Sequence, residues 1–229
     1  MNLNVKPLIE YAYRKGEDVS QSLHQYLDYL MKTFDPDLMN QYGNRISLMY
    51  ARQDENRLYF ELMMDWLEET ADAMDSKKGW TDYFGRMYEE VYKGKSKASQ
   101  LGQFYTPEHI SELLASLHLP IGGREVVNDS ACGSGRNLLA HYAKADKSKP
   151  IFYEAGDIDL VSCKMCALNM MAHGMIGIVV CHDALADDGF KQGWMINEVR
   201  YPLPSDWYSI RPITKEEFVS IKHKVKSLP

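Results

Sequence analysis

The chain has 229 residues, enough for one large folded unit or a core unit with a smaller one attached. Its composition is that of an ordinary globular protein, 45% hydrophobic and 25% charged, and no apolar run approaches the roughly 18–20 residues that span a bilayer. A formal net charge of −6 argues against an electrostatic nucleic-acid binder working alone, since phosphate contacts need clustered Lys and Arg.

Residues 1–21 lack the apolar stretch of a secretory signal, so a cytoplasmic protein without membrane contact is expected. Residues 1–100 read as a helical region. Leu23, Tyr26, Leu27, Leu30 and Met31 recur at helical spacing, and Phe60, Met63, Met64, Trp66 and Leu67 repeat the pattern within residues 58–74. A third helix is expected over residues 80–92, with Phe84, Met87, Tyr88 and Val91 on one face. These aromatic and Met stripes are explained by core packing. Residues 101–229 change texture and form a second, α/β region. After a loop, a helix is expected near Pro107, with Thr106 as its cap. Two strand–helix units and a third strand follow: strands at 125–128, 151–155 and 177–181, helices at 135–143 and 160–172. Strands alternating with helices of this length imply a parallel sheet with right-handed crossovers. The tail from residue 186 resists classification, apart from a final helix that Thr214 could cap and whose start suits Glu216 and Glu217.

The chemistry concentrates in Asp129-Ser130-Ala131-Cys132-Gly133-Ser134-Gly135, where an apolar strand ends in a small-residue turn before a helix. The glycines permit backbone angles and close approach that a side chain forbids. Free N–H groups at a helix start favour an anionic ligand group, and the carboxyl ends of strands are where open α/β sheets bind ligands. By itself the turn is equally a structural tight turn; it lacks the third glycine of a dinucleotide fingerprint and the Gly-Lys-Ser/Thr of a phosphate loop. Asp157, in Gly156-Asp157-Ile158-Asp159, stands at a spacing that suits ribose hydroxyls, while Asp159 is as readily a helix cap. Asp183 follows the third strand. The four cysteines, including Cys163-Lys164-Met165-Cys166, read as packed thiols rather than ligands or disulfides. The basic stretches at 93–97 and 222–226 read as solvated faces.

Gly102-Gln103-Phe104-Tyr105-Thr106-Pro107 followed by Asp129-Ser130-Ala131-Cys132-Gly133-Ser134-Gly135 resembles the N-6 adenine DNA methylases, especially modification subunits of type I restriction systems. Asp82-Tyr83-Phe84-Gly85-Arg86-Met87-Tyr88-Glu89 looks like the segment that leads into that loop, and Ala167-Leu168-Asn169-Met170-Met171-Ala172-His173-Gly174 is similar to the family's helix after the second strand. The resemblance covers about residues 80–185. It implies a Rossmann-like S-adenosylmethionine-dependent methyltransferase fold with a helical N-terminal region, and S-adenosylmethionine as cofactor with no metal. It implies roles by position. Phe104, Tyr105 and Thr106 would flank the methionine moiety, and Asp129, Ala131 and Gly133 its amino-acid portion. Asp157 would hold the ribose, Ile158 the adenine face, and Asp183 with Ala184 the adenine edge. DNA is the implied partner, reached through partner subunits such as a specificity subunit or another methylase subunit.

Two departures stand out. Ser130 replaces the family's usual Pro. More important, the family's Asn/Asp-Pro-Pro-aromatic tetrapeptide, which holds the target base, is not found after residue 184; Asn197-Glu198-Val199-Arg200-Tyr201-Pro202 is the nearest stretch and does not match. The tail is also too short for two further strand–helix units of about 30 residues each, so the parallel sheet is expected to be truncated. Three functions follow: an adenine-N6 DNA methyltransferase, a methyltransferase-like binding or regulatory subunit without catalysis, or a structural protein working through its helical region.

Overall fold

A computed structural model describes residues 5–41, 57–92, 106–117, 125–148, 151–186, 189–198 and 208–226. Helices α1 (Lys6–Lys15), α2 (Val19–Thr33), α3 (Pro36–Gln41), α4 (Arg57–Asp75), α5 (Tyr83–Tyr92) and α6 (Glu108–Leu117) precede a sheet. The sheet region runs β1 (Glu125–Asp129), α7 (Arg136–Lys144), β2 (Ile151–Asp157), α8 (Leu160–Ala172), β3 (Gly177–Cys181), β4 (Gln192–Ile196), β5 (Ile210–Ile213) and α9 (Lys215–Lys226).

The helical stripes form the core as the periodicity predicts. In α2 the whole set Leu23, Tyr26, Leu27, Leu30 and Met31 is buried, and Asp18 caps the helix by accepting from Ser20 N–H at 2.8 Å. In α4 the buried face is Tyr59, Leu62, Met63 and Trp66, so the expected Met64 turns outward. The α5 stripe of Phe84, Met87, Tyr88 and Val91 is buried, and Trp80 is buried just before that helix. Trp66 lies between Phe34 and Phe84, with ring centroids 5.9 and 4.8 Å away. This cluster continues into α7, α8 and the sheet as one core.

Strand order is β1-β2-β3-β4-β5. The first three strands are parallel, as expected, and α7 and α8 contribute to the core on one face. Sequential parallel strands joined by crossovers of one hand place their helices on the same side. The expectation of a purely parallel sheet does not hold beyond β3: β4 and β5 are antiparallel additions, making the sheet mixed. The connection explains the reversal. Residues 182–191 are too few for a crossover helix, which needs a dozen or more residues, so the chain turns back alongside β3. A second, smaller cluster on the opposite face joins Ile178, Val180, Met195 and Ile213 with Phe218 and Ile221 of α9.

Caps set the local boundaries. The α6 cap is Pro107 rather than the expected Thr106: the Pro107 carbonyl accepts from Ser111 N–H at 3.1 Å. Thr214 does cap α9, with Glu217 N–H on its Oγ1 at 3.2 Å and Glu217 Oε2 on Thr214 N–H at 3.0 Å, a reciprocal capping box. The tail that resists reading from sequence thus supplies two strands and this helix. Among the described residues no helix is long and apolar enough to cross a membrane.

Candidate cofactor site

The parallel register gathers the carboxyl ends of β1, β2 and β3 at one edge of the sheet: Asp129 pairs with Ala155, and Asp157 with Cys181. β2 runs two residues past its expected end and carries Asp157 as its last residue. The glycine turn docks against it. Gly133 N–H donates to Asp157 Oδ2 at 2.9 Å, and Cys132 N–H donates to the Gly156 carbonyl at 2.9 Å. Asp157 Oδ1 accepts from Asp159 N–H at 2.9 Å. Two backbone donors therefore hold this carboxylate, which keeps further lone pairs for a ligand.

The turn needs its glycines. Gly133 and Gly135 have φ of 53° and 89°, the left-handed region that L side chains rarely adopt. A Cβ on Gly135 would also fall 2.9 Å from Cys166 Sγ. Gly135 stands at the α7 cap with no side chain to offer, and α7 starts at Arg136.

The remaining sequence-predicted residues fall around this turn. Asp129 Oδ1 accepts from Ala131 N–H at 3.2 Å, closing the turn on itself. Ile158 is 60% exposed directly after Asp157. Asp183 and Ala184 follow β3 at the same sheet end, and Asp183 Oδ1 accepts from Leu185 N–H at 3.0 Å. Asp159 takes the cap role, accepting from Ser162 N–H at 2.8 Å. Thr106 contributes its carbonyl rather than its hydroxyl to the interactions seen. Phe104 and Tyr105 lie outside the described residues, as does the basic stretch 93–97.

One constellation escaped the sequence reading. Asp82 is fully buried, and its carboxylate receives four donors: Gly85 N–H at 2.9 Å, Asn169 Nδ2 at 2.8 Å, Ser134 Oγ at 2.7 Å and Arg136 Nε at 2.7 Å. Arg136 also donates Nη1 to the Thr106 carbonyl at 2.9 Å and pairs with Glu89 at 3.1 Å. Burial alone would lower the Arg136 guanidinium, but Asp82 and Glu89 outweigh it and raise its pKa above the ordinary value. This hub ties the helical region, the glycine turn and, through Arg136, the Thr106 carbonyl ahead of α6 to one carboxylate. Asp82, Ser134 and Asn169 each lie in a segment that carries the family resemblance, but apart from that the local signal is a charged residue inside the aromatic run Trp80-Thr81-Asp82-Tyr83-Phe84, and nothing in it tells that the three meet.

The four cysteines are all buried and free, as expected of packed thiols. Hydrogen bonding to Cys166 and then burial push the Cys132 thiol well up; burial does the same for Cys163. Neither is primed as a nucleophile.

Asn197 settles the nearest candidate for base holding. Because β4 runs antiparallel, its last residue Ile196 pairs with Gly177, the first of β3. Asn197 thus stands at the sheet end opposite the glycine turn. Its φ is 50°, its Nδ2 donates to the carbonyls of Met171 (3.0 Å) and Met175 (2.9 Å), and its Oδ1 accepts from Ser209 N–H at 3.0 Å. It is a structural staple. Asn197→Ala should cost about 2–3 kcal/mol, from three hydrogen bonds at about 1 kcal/mol each. Chemical unfolding measures the loss, and ligand binding at the opposite sheet end should be unchanged.

The chain matches a family model described as N-6 DNA Methylase over residues 80–216. It is 32% identical to the methylase subunit of the type I restriction enzyme MpnII of Mycoplasma pneumoniae over 114 residues, 47% of this chain and 21% of that protein. It is 34% identical to the methylase subunit of the type I restriction enzyme MjaVIII of Methanocaldococcus jannaschii over 133 residues, 57% of this chain and 22% of that protein. The chain therefore spans about a fifth of the length of these relatives. No solved structure matches it.

Proposed function

Because the chain belongs to the N-6 DNA methylase family, we propose that it binds S-adenosylmethionine and serves adenine-N6 methylation of DNA in a type I restriction-modification setting, in the cytoplasm and together with partner subunits. The observation that carries this reading is the hydrogen bond from Gly133 N–H to Asp157, which joins the glycine turn of one strand to the acid of the next. Such an arrangement suits a ligand with both a charged amino-acid end and a ribose. We read the sheet as a Rossmann-like methyltransferase core, with residues 1–100 as its supporting helical region.

The residues present fit that cofactor. Asp157 keeps lone pairs for ribose hydroxyls, and Ile158 offers an exposed apolar surface to the adenine face. Asp183 and Ala184 would meet the adenine edge. Asp129, Ala131 and Gly133 would receive the amino-acid portion, and Phe104, Tyr105 and Thr106 the methionine moiety. When bound, S-adenosylmethionine supplies an electrophilic methyl group, so the protein's task is to orient an amine in line with it.

A second reading, a cofactor-binding or regulatory subunit without catalysis, is favoured by Asn197, whose side chain is consumed structurally at the far end of the sheet. Labelled methyl transfer to DNA separates the two: transfer in the presence of partner subunits supports the first, and tight binding with no transfer under any combination supports the second. Calorimetry tests the shared premise. Asp157→Ala should weaken S-adenosylmethionine binding by about 10- to 100-fold, the worth of hydrogen bonds to a charged group. Wild-type protein that shows no heat at millimolar cofactor would sink both readings.

A further inference from the structure

Arg136 opens α7 directly after the glycine turn, where a guanidinium facing the pocket would pair with a ligand anion. It does not serve that role here. Its side chain is 6% exposed, and each of its three nitrogens faces an acceptor of the protein. Nε lies 2.7 Å from Asp82 Oδ2, Nη1 2.9 Å from the Thr106 carbonyl and Nη2 3.1 Å from Glu89 Oε1. A planar fork meets three acceptors at fixed angles; the single ammonium of a lysine cannot. The fork has little slack. Asp82 also accepts from Gly85, Ser134 and Asn169, and a Cβ on Gly85 would collide with the Asp82 carboxylate and stand 2.6 Å from Ser134 Oγ.

The next residue repeats the grip. Asn137 Oδ1 accepts from Ser111 Oγ at 2.8 Å, and Ser111 N–H donates to the Pro107 carbonyl at 3.1 Å. Two consecutive residues of α7 thus hold the Thr106 carbonyl and the first turn of α6 beside the start of their own helix. Lys78 Nζ on Glu108 Oε2 at 2.6 Å adds a tie to the helical region. Phe104 and Tyr105 directly precede Thr106 in the sequence. A chain reaches at most about 3.5 Å per residue, so both backbones stay within about 7 Å of the pinned residue.

We propose that Arg136 is a positioning residue for the amino-acid end of the cofactor. By holding the Thr106 carbonyl it sets the spacing between the segment that would flank the methionine moiety and the turn that would receive the amino-acid portion, and it does so without touching the ligand. The inference rests on the cofactor reading and deepens it, because it divides the pocket into two halves. The nucleoside half is carried by the ends of β2 and β3. There the carboxylates of Asp157 and Asp183 take their donors from Gly133, Asp159 and Leu185 rather than from Arg136. A ligand with an amino-acid portion therefore depends on Arg136, and a bare nucleoside does not. Misplacing one wall of a pocket is costly for the ligand group that must meet both walls.

The test compares S-adenosylhomocysteine with methylthioadenosine, which keeps the adenosine and the sulfur but lacks the amino-acid portion. Neither carries net charge near neutral pH, so general electrostatics affect them alike. Calorimetry on the full chain should show Arg136→Lys weakening the first about tenfold and the second less than about twofold. The folded fraction enters both affinities equally, so their ratio does not report on stability. Glu89→Gln loosens one arm of the fork at an exposed residue and should show the same preference at about threefold. In the ligand-free protein, the Thr106 carbonyl carbon resonance should move upfield in Arg136→Lys as its hydrogen bond is lost. Equal weakening of both ligands, no weakening of either, or an unmoved Thr106 resonance would overturn the assignment and leave the cofactor reading standing. Wild-type protein that binds neither ligand would end the cofactor reading and this assignment with it.

Discussion

Asp82→Ala is expected to remove about 3–5 kcal/mol of the protein's stability, a large share of the total. The substitution removes the acceptor of four donors and leaves the Arg136 guanidinium buried without the carboxylate that its Nε contacts. Breaking a buried pair by deleting one side costs about 3–5 kcal/mol, against a typical total stability of about 5–15 kcal/mol. For a chain of this size that corresponds to a Tm lower by about 10–15 °C. Asp82→Asn keeps one oxygen, able to accept from Gly85 and Asn169, but places an amide nitrogen where Ser134 and Arg136 donate and loses the charge, so it should fall between wild type and Asp82→Ala. Arg136→Met exposes the converse cost, an uncompensated carboxylate. In a double-mutant cycle of Asp82→Asn with Arg136→Met the two losses should be strongly non-additive. Urea unfolding reads the wild type and all four variants. A loss below about 1 kcal/mol for Asp82→Ala would mean that the hub is not the stabilising centre its hydrogen bonds suggest.

The second large effect is on pH dependence. His173 is buried, and both its ring nitrogens are engaged: Nδ1 lies 2.7 Å from the Asn169 carbonyl and Nε2 accepts from Thr81 N–H at 3.2 Å. That arrangement requires a neutral ring with its proton on Nδ1. Burial lowers its pKa from 6.5 to about 4. The folded-state pKa is depressed, so between pH 6.5 and 4 the unfolded chain binds the proton first. The stabilising contribution is complete above pH 6.5 and is lost progressively as pH falls toward 4, about 3 kcal/mol in all. His24 and His182, also lowered by burial, act in the same direction. The His173→Gln variant isolates the one residue. Between pH 7.5 and 5 the wild type should lose about 2 kcal/mol more than the variant. Parallel stability curves for the two proteins would refute the assignment.

Both predictions concern residues whose importance local sequence conceals. The alternation of apolar runs with small-residue turns located β1, α7, β2, α8 and β3 to within one or two residues, because each depends on signals a few positions apart. The pairing of Gly133 with Asp157 was within reach for the same reason, since consecutive parallel strands place their carboxyl ends side by side. The Asp82 hub was not. Three of its four donors lie 52, 54 and 87 residues away, and nothing adjacent to Asp82 encodes them. The tail hid its strands for another reason: β5 is four residues with a proline, which weakens any strand pattern, and β4 has burial but no alternation. The reversal of β4 did have a signal, the shortness of residues 182–191, and it decides where Asn197 points its chemistry.

The hub also orders events in time. Asp82 is synthesised 87 residues before Asn169, and its partners Ser134 and Arg136 come in between. While the nascent chain lacks them, the helices around Trp66 and Phe84 would have to close over a carboxylate that lacks three of its four donors. They gain more by staying open until the glycine turn and α8 have been made. Assembly of the helical half therefore waits on the pocket: a ribosome-bound chain halted before residue 134 should be readily cut by protease between residues 57 and 92, and one extended past residue 173 should resist.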